Sequence, residues 1–216
     1  MKQLKIYEMF TSIQGESTHA GRLCFFIRLA GCNLRCSYCD TKKAQSPDSG
    51  SEYSLEEILR KAKESGIRLV EITGGEPMLQ NAVPELCNML IGNGFEVLIE
   101  TNGSVDLSPL PAEVCRIIDW KTPSSGESSR MLDSNFLNLR PHDEVKFVIA
   151  DRKDYEASLE VMDRFGIASR AAVLFAPVFG RIEPRTLVEW MIADRVPARL
   201  NLQLHKIVWS PETEGV

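Results

Sequence analysis

The apolar residues of this 216-residue chain come in short runs that alternate with helical periods. That alternation restricts the fold more than any other feature. Runs rich in Val, Ile, Leu and Phe predict strands at Leu4–Phe10, Leu23–Ala30, Leu69–Thr73, Glu96–Glu100, Arg116–Trp120, Glu144–Ala150, Ala171–Ala176 and Arg199–Leu204. Most carry little polar alternation, as strands covered on both faces should. Between them, Leu55, Ile58, Leu59 and Ala62 fall at i, i+3, i+4 and i+7, the stripe of an amphipathic helix. Ser54 and Glu57 have the S-x-x-E spacing of a capping box, and Gly66 supplies a stop. Further helices are predicted over Gln80–Ile91, Lys153–Phe165 and Pro184–Ala193. Strand then helix, repeated, implies parallel strands joined by right-handed crossovers. A closed eight-fold barrel takes about 250 residues. This shorter chain is therefore expected to form an α/β fold of the incomplete, open TIM-like β/α barrel kind. Cys39–Ser54 and Thr122–Arg130, rich in Pro, Gly and Ser, read as loops, and no repeat or linker divides residues 1–216, which read as one domain.

A formal net charge of −5 argues against a direct nucleic-acid binder, which needs a basic face for phosphates. No apolar run approaches the roughly 18 residues of a membrane span. The N-terminus lacks the apolar core and cleavage site of a signal peptide, so a cytoplasmic protein is expected. Six cysteines are too few for a disulfide scaffold, and a reducing cytosol would not keep one.

Three of the six cluster. Cys32, Cys36 and Cys39 have the spacing C-x3-C-x2-C within the loop 31–41, directly after a predicted strand. Loops at the C-terminal ends of barrel strands are where barrel active sites lie. Three thiolates so close can converge on one metal centre. A structural zinc site would want a fourth ligand, and a redox disulfide would leave one thiol over. Cys24, Cys87 and Cys115 fall inside a predicted strand or helix and read as small buried hydrophobes. An iron–sulfur cluster normally takes four thiolates. Three leave one iron of a [4Fe–4S] cluster open to a small ligand. Zinc remains the competing reading of the spacing.

Three further strand ends carry polar residues. Thr73-Gly74-Gly75-Glu76-Pro77 combines a sharp turn with a carboxylate, although a glycine pair alone is an ordinary turn. Glu100-Thr101-Asn102-Gly103 ends the next strand, and Asp119-Trp120-Lys121 the one after. Asn-Gly is itself a turn signal, and a lone Lys is usually solvated.

The cysteine spacing after a first barrel strand resembles the radical S-adenosylmethionine superfamily. The resemblance implies that the open iron binds the amino and carboxylate groups of S-adenosylmethionine, whose reduction releases a 5′-deoxyadenosyl radical. It places Tyr38 near the adenine and Glu76, in T-G-G-E-P, near the methionine ammonium. The wider pattern is more specific. S-I-Q-G-E over residues 12–16, F-I-R-L-A-G-C-N-L-R-C-S-Y-C-D-T over residues 26–41, Lys146-Phe147-Val148-Ile149, and Leu202-Gln203-Leu204-His205-Lys206 with Trp209 closely resemble the 7-carboxy-7-deazaguanine synthase family, in family order along nearly the whole chain.

That resemblance implies an abbreviated barrel of the radical S-adenosylmethionine type, working as a homodimer with an external electron donor. The implied substrate is 6-carboxy-5,6,7,8-tetrahydropterin, contracted with loss of ammonia to 7-carboxy-7-deazaguanine for 7-deazapurine synthesis, including the queuosine of transfer RNA. S-adenosylmethionine is regenerated and Mg2+ assists. Residue by residue, Cys32, Cys36 and Cys39 would hold the cluster, and Thr41 the magnesium. Arg28 would meet the substrate carboxylate in a fork. Ile13, Gln14, Gly15, Glu16 and Thr73 would contact the pterin, and Val216 would fold back towards it. Gly75, Lys121, Ala176, Pro177, Val178 and Phe179 would line the cofactor. The chain departs from the family pattern at Ser17 (often Gly), Asp119-Trp120 (often Ser-Pro), Ala176 (often Gln) and Val216 (sometimes Pro). The three histidines read as structural or solvated. A glycyl-radical-enzyme activase would share the cysteines and the glycine pair, but S-I-Q-G-E, Arg28 and Thr41 fit a small carboxylated substrate better. A zinc-stabilised binding module would leave T-G-G-E-P unexplained.

Overall fold

The computed structural model describes residues 2–211, 213, 215 and 216. In chain order its strands are β1 (Gln3–Ile13), β2 (Leu23–Leu29), β3 (Ser51–Ser54), β4 (Leu69–Gly74), β5 (Glu96–Thr101), β6 (Cys115–Trp120), β7 (Glu144–Ile149), β8 (Ala172–Pro177) and β9 (Arg199–Leu200). Its α-helices are α1 (Leu55–Ser65), α2 (Val83–Gly92), α3 (Asp133–Leu137), α4 (Arg152–Phe165), α5 (Pro184–Asp194) and α6 (Leu204–Val208). The strands form one sheet in the order β3-β1-β2-β4-β5-β6-β7-β8-β9. From β2 through β9 every pairing is parallel, while β1 runs antiparallel to both β2 and β3. The ends do not pair, so the expected open, unclosed barrel is what forms.

Local chemistry sets the elements. The Ser54 hydroxyl accepts the Glu57 N–H while the Glu57 carboxylate accepts that of Ser54, and Gly66 closes α1 at φ 70°. Leu55, Ile58 and Ala62 then bury against the sheet. Leu55 and Ile58 each contribute about 1.5–3 kcal/mol by this burial, and Ala62 less. The main core lies between the sheet and its helices and includes Ile27, Ile72, Ile99, Phe147 and Phe175. A second, smaller cluster of Cys24, Phe26, Leu69, Leu98, Cys115 and Ile117 packs on the opposite, lumenal face. All three cysteines outside the cluster loop are buried, as small hydrophobes.

Four expectations need correction. The strand predicted to reach Leu204 ends at Leu200, because beyond that point Asn201 and Gln203 turn their amides onto Glu16 and the chain coils into α6. The helix predicted from Gln80 starts at Val83. Gln80 is drawn out of it by amide bonds to Lys5 N, Lys5 O and Ala30 O. The loop 39–54 contains β3, a nearly apolar-free edge strand held only by β1. The loop 122–130 contains two 3₁₀ turns.

Candidate active site

At the C-terminal ends of the parallel strands a cavity of about 570 Å³ opens inside the curved sheet. Its rim and walls come from the cluster loop, the turns after β4, β5, β6 and β8, the turn after β1, and the C-terminal segment. The architecture therefore brings together residues up to 206 positions apart, from Phe10 to Val216.

Cys32, Cys36 and Cys39 all line the cavity and are half-buried, and none is in a disulfide. Leu34 N–H points at Cys32 Sγ (3.4 Å), and the Asn102 amide approaches it at 3.9 Å. Burial pushes the Cys36 thiol up to about 11 and the Cys32 thiol upward as well, so both are neutral until a metal displaces their protons. Tetrahedral zinc, with Zn–S near 2.3 Å, needs sulfurs within about 4 Å of each other. The three sulfurs are not gathered within 4.8 Å; among the described residues only His19, Cys115 and Glu144 are. Those three sit below the cavity with their atoms committed: Arg22 binds the His19 ring, Cys115 donates to His142 O, and Glu144 accepts from Thr18. The cysteine set thus suits a multinuclear centre, whose thiolates bind separate irons, better than a single zinc.

The loop's position is fixed from below. Gly75 N–H donates to Leu29 O (3.1 Å), and Glu76 N–H to Gly31 O (2.8 Å). Gly74 takes φ 133°, a conformation that side chains rarely adopt. Glu76 itself does not face the cavity. Its fully buried carboxylate accepts from Thr101 Oγ1 (2.8 Å), Asn102 N (2.7 Å) and Met78 N (3.0 Å). It ties β4 to β5 and stands outside the cavity lining. Strand alternation likewise places Phe10 and Ser12 on the lumenal face of β1 and the Ile13 side chain on the other, off the cavity lining.

The remaining sequence candidates line the cavity: Gln14, Gly15, Glu16, Arg28, Tyr38, Thr41, Thr73, Gly75, Lys121, Ala176, Pro177, Val178, Phe179 and Val216. The Arg28 guanidinium is oriented by Glu8 (Nε to Oε1 2.7 Å). Gln14 is spent internally, donating to Glu71 and accepting from Glu16 N (2.9 Å). Thr41 Oγ1 donates to Asp40 Oδ1 (3.1 Å), and Asp40 is gripped by Lys206 (2.8 Å) and the Gln203 amide (3.1 Å). Lys121 pairs with Asp119 Oδ2 (2.7 Å), while the other, buried oxygen of Asp119 has no hydrogen-bond partner among the described residues.

Glu71, Glu100 and Lys146 project from β4, β5 and β7 into the cavity as a row of charged residues on the lumenal face. The sequence places Glu100 in a polar strand end and Lys146 in a family-like segment without assigning either a contact. Each is a charge in an otherwise apolar strand. His205, read from sequence as structural or solvated, also lines the cavity, close enough to Gly15 that a Cβ there would meet its ring at 2.2 Å.

The comparisons with known proteins follow this geometry. The radical SAM superfamily model matches residues 26–119. The chain is 40% identical to the 7-carboxy-7-deazaguanine synthase of Koribacter versatilis, over 99% of this chain and 100% of that one. It is 42% identical to that of Chlorobaculum tepidum, over 99% and 97%. The chain belongs to the 7-carboxy-7-deazaguanine synthase family. Its fold agrees with that of QueE from Escherichia coli at a TM-score of 0.79, with 27% identity over 94% of this chain and 95% of that one. In this family member the cavity combines a cysteine loop on one wall with buried carboxylates and an ammonium on the other.

Proposed function

We propose that the chain converts 6-carboxy-5,6,7,8-tetrahydropterin to 7-carboxy-7-deazaguanine with loss of ammonia, a carbon–nitrogen lyase step in 7-deazapurine biosynthesis that leads to queuosine. Identity to named synthases along the full length of the chain is the observation that carries this reading. The donor set supports a [4Fe–4S] cluster on Cys32, Cys36 and Cys39, with no fourth cysteine on the loop and one iron left for S-adenosylmethionine. When bound, these groups supply reductive cleavage of the sulfonium and, through it, hydrogen-atom abstraction from the substrate. The electron comes from an external donor, and the family resemblance supports a homodimer.

The chain's own residues position and discriminate. Gly75 lets the backbone approach the cofactor closely, with Lys121, Tyr38 and the 176–179 segment around it. Arg28 offers a planar guanidinium to the substrate carboxylate. The Thr41 hydroxyl, fixed by Asp40, offers a hard oxygen to Mg2+, which keeps several waters and binds few protein groups. Glu16 and Glu100, with the Gly15 backbone and Thr73, present acceptors to the amino and N–H edge of the pterin. Glu16 is held ionised: burial works against its charge, but the Lys146 ammonium and the Gln203 amide outweigh it. Phe10, stacked on Phe26 at 5.0 Å, forms an apolar floor beneath the ring.

Anaerobic turnover of the reconstituted protein tests the reading. With S-adenosylmethionine, Mg2+, a strong reductant and the pterin, mass spectrometry is expected to show 7-carboxy-7-deazaguanine without net loss of S-adenosylmethionine. An activase would instead cleave S-adenosylmethionine and leave the pterin untouched.

A further inference from the structure

The Lys146 ammonium sits at the centre of the polar wall. Its Nζ lies 3.0 Å from Glu16 Oε2, is hydrogen-bonded to Glu100 Oε1, and is 4.0 Å from Asp119 Oδ2. The side chain is 7% exposed, almost wholly removed from water. Two strands and a turn therefore aim carboxylates at one cation. Glu16 comes from the turn after β1, Glu100 from β5 and Asp119 from β6.

Resting on the pterin reading above, we propose that Lys146 is a positioning residue for substrate specificity: it clamps Glu16 and Glu100 as a fixed pair of acceptors that reads a heterocycle's N–H-donor edge. Two arguments carry this. The first is occupancy. Glu16 Oε1 takes the Gln203 amide (3.0 Å), and Oε2 takes Lys146 and the Asn201 amide (3.1 Å). Glu100 Oε2 takes the Thr73 hydroxyl (3.2 Å). Each carboxylate is thus held at both oxygens in one orientation, with lone pairs left over for the cavity. A receptor organised before binding spares the ligand the ordering cost.

The second argument is charge. Glu71 on β4 also faces this cluster, and Arg28 on β2, His205 on α6 and Lys121 beyond β6 complete its surroundings. Burial, and then the charge of Glu100, push the Glu71 carboxyl well above the usual range. Burial disfavours the Lys146 ammonium, but Glu100 and Glu16 reverse this and raise it. Without that ammonium the facing Glu16 and Glu100 carboxylates would repel, and one would take up a proton. A shared proton consumes an acceptor position that the ligand needs.

The test is equilibrium binding of oxidised 6-carboxypterin, followed by its fluorescence, to the anaerobic holoenzyme across pH 5.5–7, below the range in which the pterin ring amide loses its own proton. Wild type is expected to bind with little pH dependence through this range. Lys146→Met is expected to weaken binding at pH 7 by about 30-fold, the loss of one charge-assisted contact's worth of organisation. Its affinity should also rise with pH as the trapped proton is lost, while binding of S-adenosylmethionine and the iron content stay unchanged. Lys146→Arg keeps the charge and should keep the flat profile. Equal affinity and a flat profile in Lys146→Met would overturn the assignment. So would a pH-dependent Lys146→Arg, since the cause would then be damaged packing. If Lys146→Met does not fold, the Lys146→Arg profile, compared with that of Glu100→Gln, decides: the Arg variant must stay flat while Glu100→Gln weakens binding. A wild type that binds S-adenosylmethionine but no pterin sinks the substrate reading and this role with it. A wild type that binds pterin while the variants behave alike sinks Lys146 alone.

Discussion

A Cβ added to Gly75 would lie 2.1 Å from the carbonyl oxygen of Gly31 and 3.0 Å from the Cβ of Cys32. The glycine is thus required by the cysteine loop as well as by any ligand above it. Backbone cannot swing aside as a flexible side chain can. Gly75→Ala must therefore displace residues 31 and 32, where the first thiol of the cluster loop is set. Displacement of about 1 Å at a reacting centre costs about 100-fold in rate. We expect Gly75→Ala to fold, to retain less iron per chain after reconstitution, and to lose activity by about that factor. Iron and sulfide analysis beside turnover checks it, and a fully loaded, fully active variant would remove the steric argument.

Glu76 gives a contrasting expectation, because its carboxylate is committed to Thr101, Asn102 and Met78. Glu76→Ala leaves three buried donors without an acceptor, at about 1–3 kcal/mol for each that water cannot reach. A loss of about 2–4 kcal/mol in urea unfolding is expected, with Glu76→Gln losing less because one acceptor oxygen survives. The opposite pattern, unchanged stability with weaker binding of S-adenosylmethionine, would return Glu76 to the cofactor.

These two residues also show what the sequence could and could not display. The fold was legible because strand and helix periods are local: α1 was readable from Leu55, Ile58, Ala62 and its Ser54–Glu57 cap. The cysteine loop was legible because its spacing is contiguous. The commitment of Glu76 to Thr101 and Asn102 was not legible, because sequence reveals that a carboxylate follows two glycines, not which way it turns. The turn points it beneath the rim, where Asn102 and Thr101 from another strand await it. The pairing of Glu100 with Lys146 was not legible for a related reason: each is a single charge in its own strand, and only the parallel register brings them together. The coil after Leu200 was unreadable because its cause, Glu16, lies 185 residues from Asn201.

His205 supplies a pH prediction. Burial pushes its imidazole below the ordinary value, with Glu16's charge opposing and Lys206's assisting. A histidine whose pKa is depressed by folding binds fewer protons when folded than when unfolded. Its stabilising contribution is therefore present above the unfolded value of about 6.5 and is lost as the pH falls from there towards the folded value. The affected contact is local: α6 is docked by Leu204 N–H on Gly15 O (2.9 Å) beside this ring. Hydrogen exchange in Leu204–Val208 should accelerate on acidification from pH 7 to pH 5.5, and His205→Gln should flatten that dependence. Exchange that is pH-independent after correction for intrinsic chemistry would show that the ring does not couple to docking.

Thr41 closes the set, because its hydroxyl proton is already assigned. It donates to Asp40 Oδ1 at 3.1 Å, and Asp40 is itself held by Lys206 and Gln203 from the C-terminal segment. The oxygen therefore directs its lone pairs away from Asp40, as a hard cation requires. Thr41→Ala removes that oxygen while leaving Cys32, Cys36 and Cys39 in place, so iron content should be unchanged. The magnesium concentration giving half-maximal activity should rise, by about 10-fold or more for lost metal support. Asp40→Asn should produce a smaller rise of the same kind, since it loosens the hydroxyl without deleting it. Titrating Mg2+ against turnover in the three proteins separates the cases. A response identical to wild type in Thr41→Ala would take the residue out of the ion's shell, and a larger effect in Asp40→Asn than in Thr41→Ala would assign the ion to the carboxylate instead.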